Sequence, residues 1–272
     1  MSRIRKLLVL LAAIVCCMAI GTGGNNRPVW GMWGVNVDGR DNDNLAEMIE
    51  AGIEHIALSG WLGDYSPGAL NWRIEHAREL GVVRVVVPIT HGRIQRAGEQ
   101  EGMEEIRLFI DSVHSGFFYL DEPKYNEEDV EVIKAIGAFV RNKPWPRGLY
   151  IPEPVVDQTY DAEYYDEAYR LMPDYYVKSL DWKKETYELL ESRKPLAPLL
   201  ALMYVASEEG PHLPDSLALR KEIDVALPYA TEIWFYGRKT SVQDPQMRKP
   251  FDLFSPRSRW EVLKSVLDSY QD

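Results

Sequence analysis

Acidic side chains stand where apolar runs of this sequence break off. Gly116-Phe117-Phe118-Tyr119-Leu120 leads into Asp121-Glu122-Pro123, and the run 199–206 leads into Ser207-Glu208-Glu209-Gly210. A further acid, Glu153, closes Gly148-Leu149-Tyr150-Ile151-Pro152 and precedes Pro154. Carboxyl groups do general acid/base work when their surroundings keep one protonated and leave another ionised. A proline has no ladder donor, so Pro123 ends a strand and leaves Asp121 and Glu122 at its mouth. Trp33 and Trp61 fall near other run ends, and their indole faces can stack on a flat ligand surface. Tyr204 and Tyr236 can orient a carboxylate by hydrogen bonding, and His91 and Arg238 can bind hydroxyl or anionic groups. Lys178 offers Schiff-base chemistry only if it points inward. Each of these residues also has a plainer use. Acids cap helices, tryptophans fill cores, and a lone histidine is commonly satisfied by its neighbours.

Such groups need a frame. From residue 29 onward, β-type apolar runs alternate with helical patterns. The runs fall at 29–35, 56–61, 82–89, 116–120, 148–153, 175–180, 199–206 and 233–236. Asp43 or Asn44 caps a helix that buries Leu45, Met48 and Ile49 and stops at Gly52. Ser66-Pro67 forms an N-cap and first-turn pair for a helix carrying Leu70, Ile74 and Ala77 on one face. Met103, Ile106, Ile110 and Val113 mark the next helix, and Asn126 caps one with Val130, Ile133, Ile136 and Val140. Asp161 is expected to open an aromatic helix through Tyr165, Ala168, Tyr169 and Met172, with Tyr160 and Tyr164 on its packing face. Asp181 caps a helix through Tyr187 and Leu190. Later helices bury Leu217, Ile223 and Ala226, then Trp260, Leu263, Val266 and Leu267.

Strict alternation argues for a parallel sheet with helical crossovers. Eight such units in one chain of this length predict an α/β fold, a closed (β/α)8 TIM barrel in a single domain. The competing doubly wound sheet opens with a glycine-rich phosphate loop. The first strand here ends in Val35-Asn36-Val37-Asp38-Gly39, which is no such loop. Barrel enzymes build their sites at the C-terminal ends of the strands, where the acids and aromatics above are expected.

Asp121-Glu122-Pro123 after the fourth run resembles the Asn-Glu-Pro that ends strand four in many (β/α)8 glycoside hydrolases. The resemblance implies that Glu122 is a general acid/base and that Glu208 or Glu209, after strand seven, is the nucleophile or base. Asp121 stands where those families have an asparagine that touches the sugar, and a second acid there would raise the pKa of Glu122. Trp33, Trp61, His91, Asp121, Glu153, Tyr204, Tyr236 and Arg238 are then the expected substrate-binding set, with a polysaccharide or oligosaccharide as partner. Glycosidic cleavage by two carboxylates calls for no cofactor and no metal. Two alternatives stay open. Glu122, Glu153, His91 and Glu209 could meet around Mg2+ or Mn2+ in a metal-dependent sugar isomerase or hydrolase, or the barrel could bind carbohydrate without turning it over.

The chain has 272 residues, 46% hydrophobic and 27% charged, which is globular composition. Its net charge of −11 argues against a nucleic-acid partner, since phosphate backbones need basic stripes. Arg3, Arg5 and Lys6 precede an apolar stretch from Leu7 to Ile20. That layout predicts a secretory signal peptide over 1–21, cleaved after Gly21, then a polar leader over 22–28 and the barrel over 29–272. The stretch is short of the ~20 residues that span a bilayer, so no stable membrane span is expected in the mature protein. The expected location is secreted or periplasmic, with lipid attachment at Cys16 or Cys17 as the lesser alternative. Both cysteines of the chain lie in that segment, so the mature domain would hold neither a disulfide nor a thiolate nucleophile.

Overall fold

A computed structural model of the chain describes residues 28–37, 42–97, 100–120, 127–144, 146–153, 166–173, 179–202, 215–236, 253 and 257–271. The predicted signal peptide, and all of the leader except Pro28, lie outside the described residues. The strands are β1 (Val29–Val35), β2 (Ile53–Leu58), β3 (Arg84–Ile89), β4 (Phe117–Leu120), β5 (Gly148–Glu153), β6 (Arg170–Pro173), β7 (Leu199–Ala201) and β8 (Glu232–Tyr236). The described helices are α1 (Asn42–Glu50), α2 (Pro67–Glu79), α3 (His91–Ala97), α4 (Gln100–Ser112), α5 (Glu127–Arg141), α6 (Leu180–Glu191), α7 (Ser216–Ala226) and α8 (Ser258–Asp268), with a 3-10 turn at Gly60–Asp64. No helix among the described residues is long and apolar enough to cross a membrane.

All strand pairs are parallel, in the order β6-β5-β4-β3-β2-β1-β8-β7. The ring closes just ahead of β7. Leu196 bridges to Leu171 of β6 on one side and to Ala230, before β8, on the other. Leu171 N–H donates to Pro195 O at 3.2 Å, and Ala197 N–H donates to Leu171 O at 2.8 Å. The fold is therefore the (β/α)8 barrel, not an open sheet.

Strand alternation splits the core in two. Trp30, Met32, Ile56, Leu58, Val85, Val87, Phe118, Leu120, Leu149 and Ile151 pack outward against the helices. Trp33, Ala57, Val86, Tyr119, Tyr150, Met172, Leu199 and Trp234 fill the lumen, one from each strand in turn. Barrel interiors are usually filled by branched aliphatics, whereas aromatics dominate this one. Glycines make the room. A Cβ on Gly31 would lie 2.4 Å from the Trp234 indole, and one on Gly148 would lie 2.4 Å from the Tyr169 ring.

Helix boundaries follow local chemistry. Gly52, at φ 88°, ends α1 as expected. Ser66 caps α2 by accepting from Ala69 N–H at 3.4 Å, with Pro67 in the first turn. Several expectations need correction. The sixth strand is 170–173, not 175–180: Ser179 is the N-cap of α6 and Leu180 its first residue. Met172 is therefore a strand residue, and Tyr169 packs in the lumen rather than on a helix. Ala168, Tyr169 and Met172 have helical spacing by coincidence. A four-residue strand that opens with arginine carries too little apolar signal to outweigh it. Ser179, not Asp181, caps α6, accepting from Trp182 N–H. Leu217 is 61% exposed, and Leu219 takes the buried place beside Ile223 and Ala226. The short helix α3 was not expected. Asn126, Tyr160, Tyr164, Tyr165 and Lys178 lie outside the described residues.

Candidate functional site

The C-terminal rim is built over an aromatic floor. Gly34, at φ 78°, sits in a register shift of the β1–β2 pairing, where a bulge turns the end of β1. The Ser59 hydroxyl ties this bend down by donating to Gly34 O at 2.8 Å. Just before it, the Trp33 indole lies 3.9 Å from the Tyr119 ring, centroid to centroid, and meets Trp234 edge-on at 6.2 Å. Tyr119 is held from the other end, its hydroxyl donating to Leu58 O at 2.9 Å. Trp33 keeps 8% of its surface open, and Tyr236, the last residue of β8, is half-buried against the lumen cluster. Beside this floor, Thr90 donates to Asp64 at 3.0 Å. Arg93 donates to Gly63 O at 2.9 Å and to Glu105 at 2.8 Å, with its guanidinium 4.2 Å from the Phe109 ring. These contacts fasten the turn after β2 to α3 and α4.

The residues named from sequence divide into three sets. Trp33 and Tyr236 are described in full, on the lumen side near the rim. Trp61, His91 and Glu153 have described backbones, in the turn after β2, at the start of α3 and at the end of β5, but not described side chains. Asp121, Glu122, Tyr204, Glu208, Glu209 and Arg238 lie outside the described residues. The strands leading to them, β4, β7 and β8, all open on the same rim of one parallel ring. Among the described residues, no group of three His, Cys, Asp or Glu side chains could hold a metal ion.

Sequence reasoning missed a charged cluster at the opposite end of the lumen. Arg84, Arg170 and Glu232 are the first residues of β3, β6 and β8. Arg84 Nη1 donates to Glu232 Oε1 at 2.8 Å and to the Tyr150 hydroxyl at 2.6 Å. Tyr150 in turn donates to Glu232 Oε2 at 2.8 Å. Arg170 Nε lies 3.1 Å from Glu232 Oε1, and His55 Nδ1 lies 3.9 Å from Oε2. Burial opposes the charge on Glu232, but the facing arginines outweigh it and hold the carboxyl below its ordinary range. Burial, with Arg84 beside it, lowers His55 to about 4, against the pull of Glu232, so the imidazole is neutral at neutral pH. Burial and the Glu232 charge push the Tyr150 hydroxyl well above its usual value. The available signal was parity: each of these residues occupies an inward position within an otherwise apolar run.

No protein-family model matches the chain, and no curated protein matches its sequence. Solved structures match it by fold. A chitinase from Bacteroides thetaiotaomicron aligns with a TM-score of 0.62 at 10% identity, over 90% of this chain and 96% of that one. An endo-beta-N-acetylglucosaminidase from Cordyceps militaris aligns with a TM-score of 0.59 at 11% identity, over 96% of each chain. The chain shares its fold with glycoside hydrolases. A xylanase-alpha-amylase inhibitor protein, solved with trehalose, also shares it, with a TM-score of 0.56 at 8% identity over 89% of this chain and 97% of that one. At these identities the likeness is one of fold.

Proposed function

We propose that this chain is an exported, glycoside-hydrolase-like enzyme that cleaves glycosidic bonds in a polysaccharide or oligosaccharide by a two-carboxylate mechanism. Ring closure is the observation that carries this reading. It opens β4 and β7, which precede Asp121-Glu122 and Glu208-Glu209, onto one rim. The aromatic floor beneath that rim fits a sugar ligand, and the hydrolases among the fold's users support the hydrolase-like part of the reading. One carboxyl donates a proton to the leaving oxygen, and the other attacks the anomeric carbon or activates water. Trp33 and Tyr236 border the sugar from below. Trp61, His91, Glu153, Tyr204 and Arg238 are the further residues proposed to bind the substrate.

Two adjacent acids follow the fourth strand in sequence. The motif resemblance favours Glu122. Asp121, its neighbour in the motif, is the other acid to be tested. Asp121→Asn and Glu122→Gln, assayed by reducing-end release on a polysaccharide panel, separate them. The variant of the acting acid loses about 100-fold or more in turnover while retaining glycan binding. Wild-type protein inert on the whole panel would overturn the enzymatic reading. Saturable glycan binding without turnover would establish the second reading, a non-catalytic carbohydrate-binding barrel. The inhibitor protein solved with trehalose favours that reading.

A further inference from the structure

We infer that the N-terminal mouth of the barrel is an oxyanion-binding site whose ligands are the guanidinium groups of Arg84 and Arg170. The inference does not depend on the sugar chemistry proposed for the opposite rim. Its basis is charge. Two guanidiniums gather around a single carboxylate, Glu232, whose side chain is 4% exposed. Tyr150 and His55 bring no negative charge to the cluster. Among the described residues, one positive charge is left over in a low-dielectric lumen, within a chain whose net charge is −11. Two guanidiniums that share one carboxylate are only partly compensated, which favours a second anion at this position.

Donors are available for it. Arg84 directs Nη1 to both Tyr150 and Glu232. Arg170 turns its buried Nε toward Glu232, 3.1 Å from Oε1, and its Nη atoms make no hydrogen bond among the described residues. The Arg84 and Arg170 side chains remain 18% and 16% exposed, so a small ion can reach them. Aromatic rings fix both groups beforehand. The Arg84 guanidinium lies 4.2 Å from the Phe117 ring and 5.4 Å from Tyr169, and that of Arg170 lies 4.9 Å from Tyr169. Planar guanidinium groups bind oxyanions in bidentate fashion, and immobilised ones lose little entropy in doing so. A separate observation is His55. Its side chain is 5% exposed, and Nδ1 has no hydrogen-bond partner among the described residues. An unsatisfied polar atom buried beside the mouth fits a ligand-bearing site.

The probe is inorganic phosphate, with sulfate as a second oxyanion, titrated into the purified protein against chloride at matched ionic strength and pH 7. Saturable heat of binding and a higher melting temperature in phosphate are expected for the wild type. Arg170→Gln is expected to weaken the affinity about tenfold or more, and Arg170→Lys to retain part of it. Equal melting in phosphate and chloride for the wild type would overturn the site, whether or not any variant folds. So would an unchanged phosphate affinity in a natively folded Arg170→Gln. Glycan turnover, where present, is expected to be indifferent to both substitutions.

Discussion

His55 is the residue whose chemistry is most altered by its position. Unfolded, its imidazole takes a proton near 6.5, whereas in the lumen it resists protonation down to about 4. Between those values the unfolded chain binds more protons, so stability falls as pH drops from about 6.5 toward 4. The size of this loss is on the order of 3 kcal/mol. Glu232, whose pKa is lowered, adds a further loss below about 4.5 as its carboxyl protonates. His55→Gln should flatten the upper part of this slope, measured as urea midpoint against pH. An identical slope in the variant would assign it to other groups. Charges inside strands are hard to read from sequence. Arg84 stands in the run Val82-Val83-Arg84-Val85-Val86-Val87 and Glu232 at the edge of another, where each reads as a solvated strand end. Only ring closure, which makes distant first residues neighbours, shows them to be one cluster.

At the scale of elements, tolerance to substitution should follow the space beside each glycine. Gly31→Ala forces a methyl group to within 2.4 Å of the Trp234 indole, itself fully buried, and should cost ~1–3 kcal/mol. Gly68→Ala, in the first turns of α2 with nothing within 4 Å of the added carbon, should be neutral or stabilise slightly. Thermal melts of the two variants test the contrast, and equal effects would contradict the packing described for the lumen. Elements with long apolar signals were legible: β1 and β5 fall where the pattern put them, as does the Ser66-Pro67 start of α2. β6 was not, because four residues give a period-two pattern only two repeats. α3 was hidden for a similar reason, being seven residues with no apolar stripe. Trp33, near the end of its apolar run, and Tyr236, at the end of another, lie on the lumen side, where such positions are expected. The lumen partner Tyr119 read only as part of a strand.

At the scale of the molecule, each strand contributes to one lumen cluster, and the ring depends on the bridges at Leu196. Such a core cannot be dismantled in halves without exposing the rest of it. Far-UV circular dichroism and tryptophan fluorescence should therefore report the same urea midpoint. Leu196→Ala, at a residue 1% exposed, should move both midpoints together with a loss of ~2–5 kcal/mol. Separate midpoints would show that the barrel comes apart in pieces. The stack from Glu232 through Tyr150 and Trp234 to Trp33 also makes the interior a stopper rather than a passage. Whatever docks at one end must depart by the doorway through which it came, and the two ends are free to diversify independently of each other.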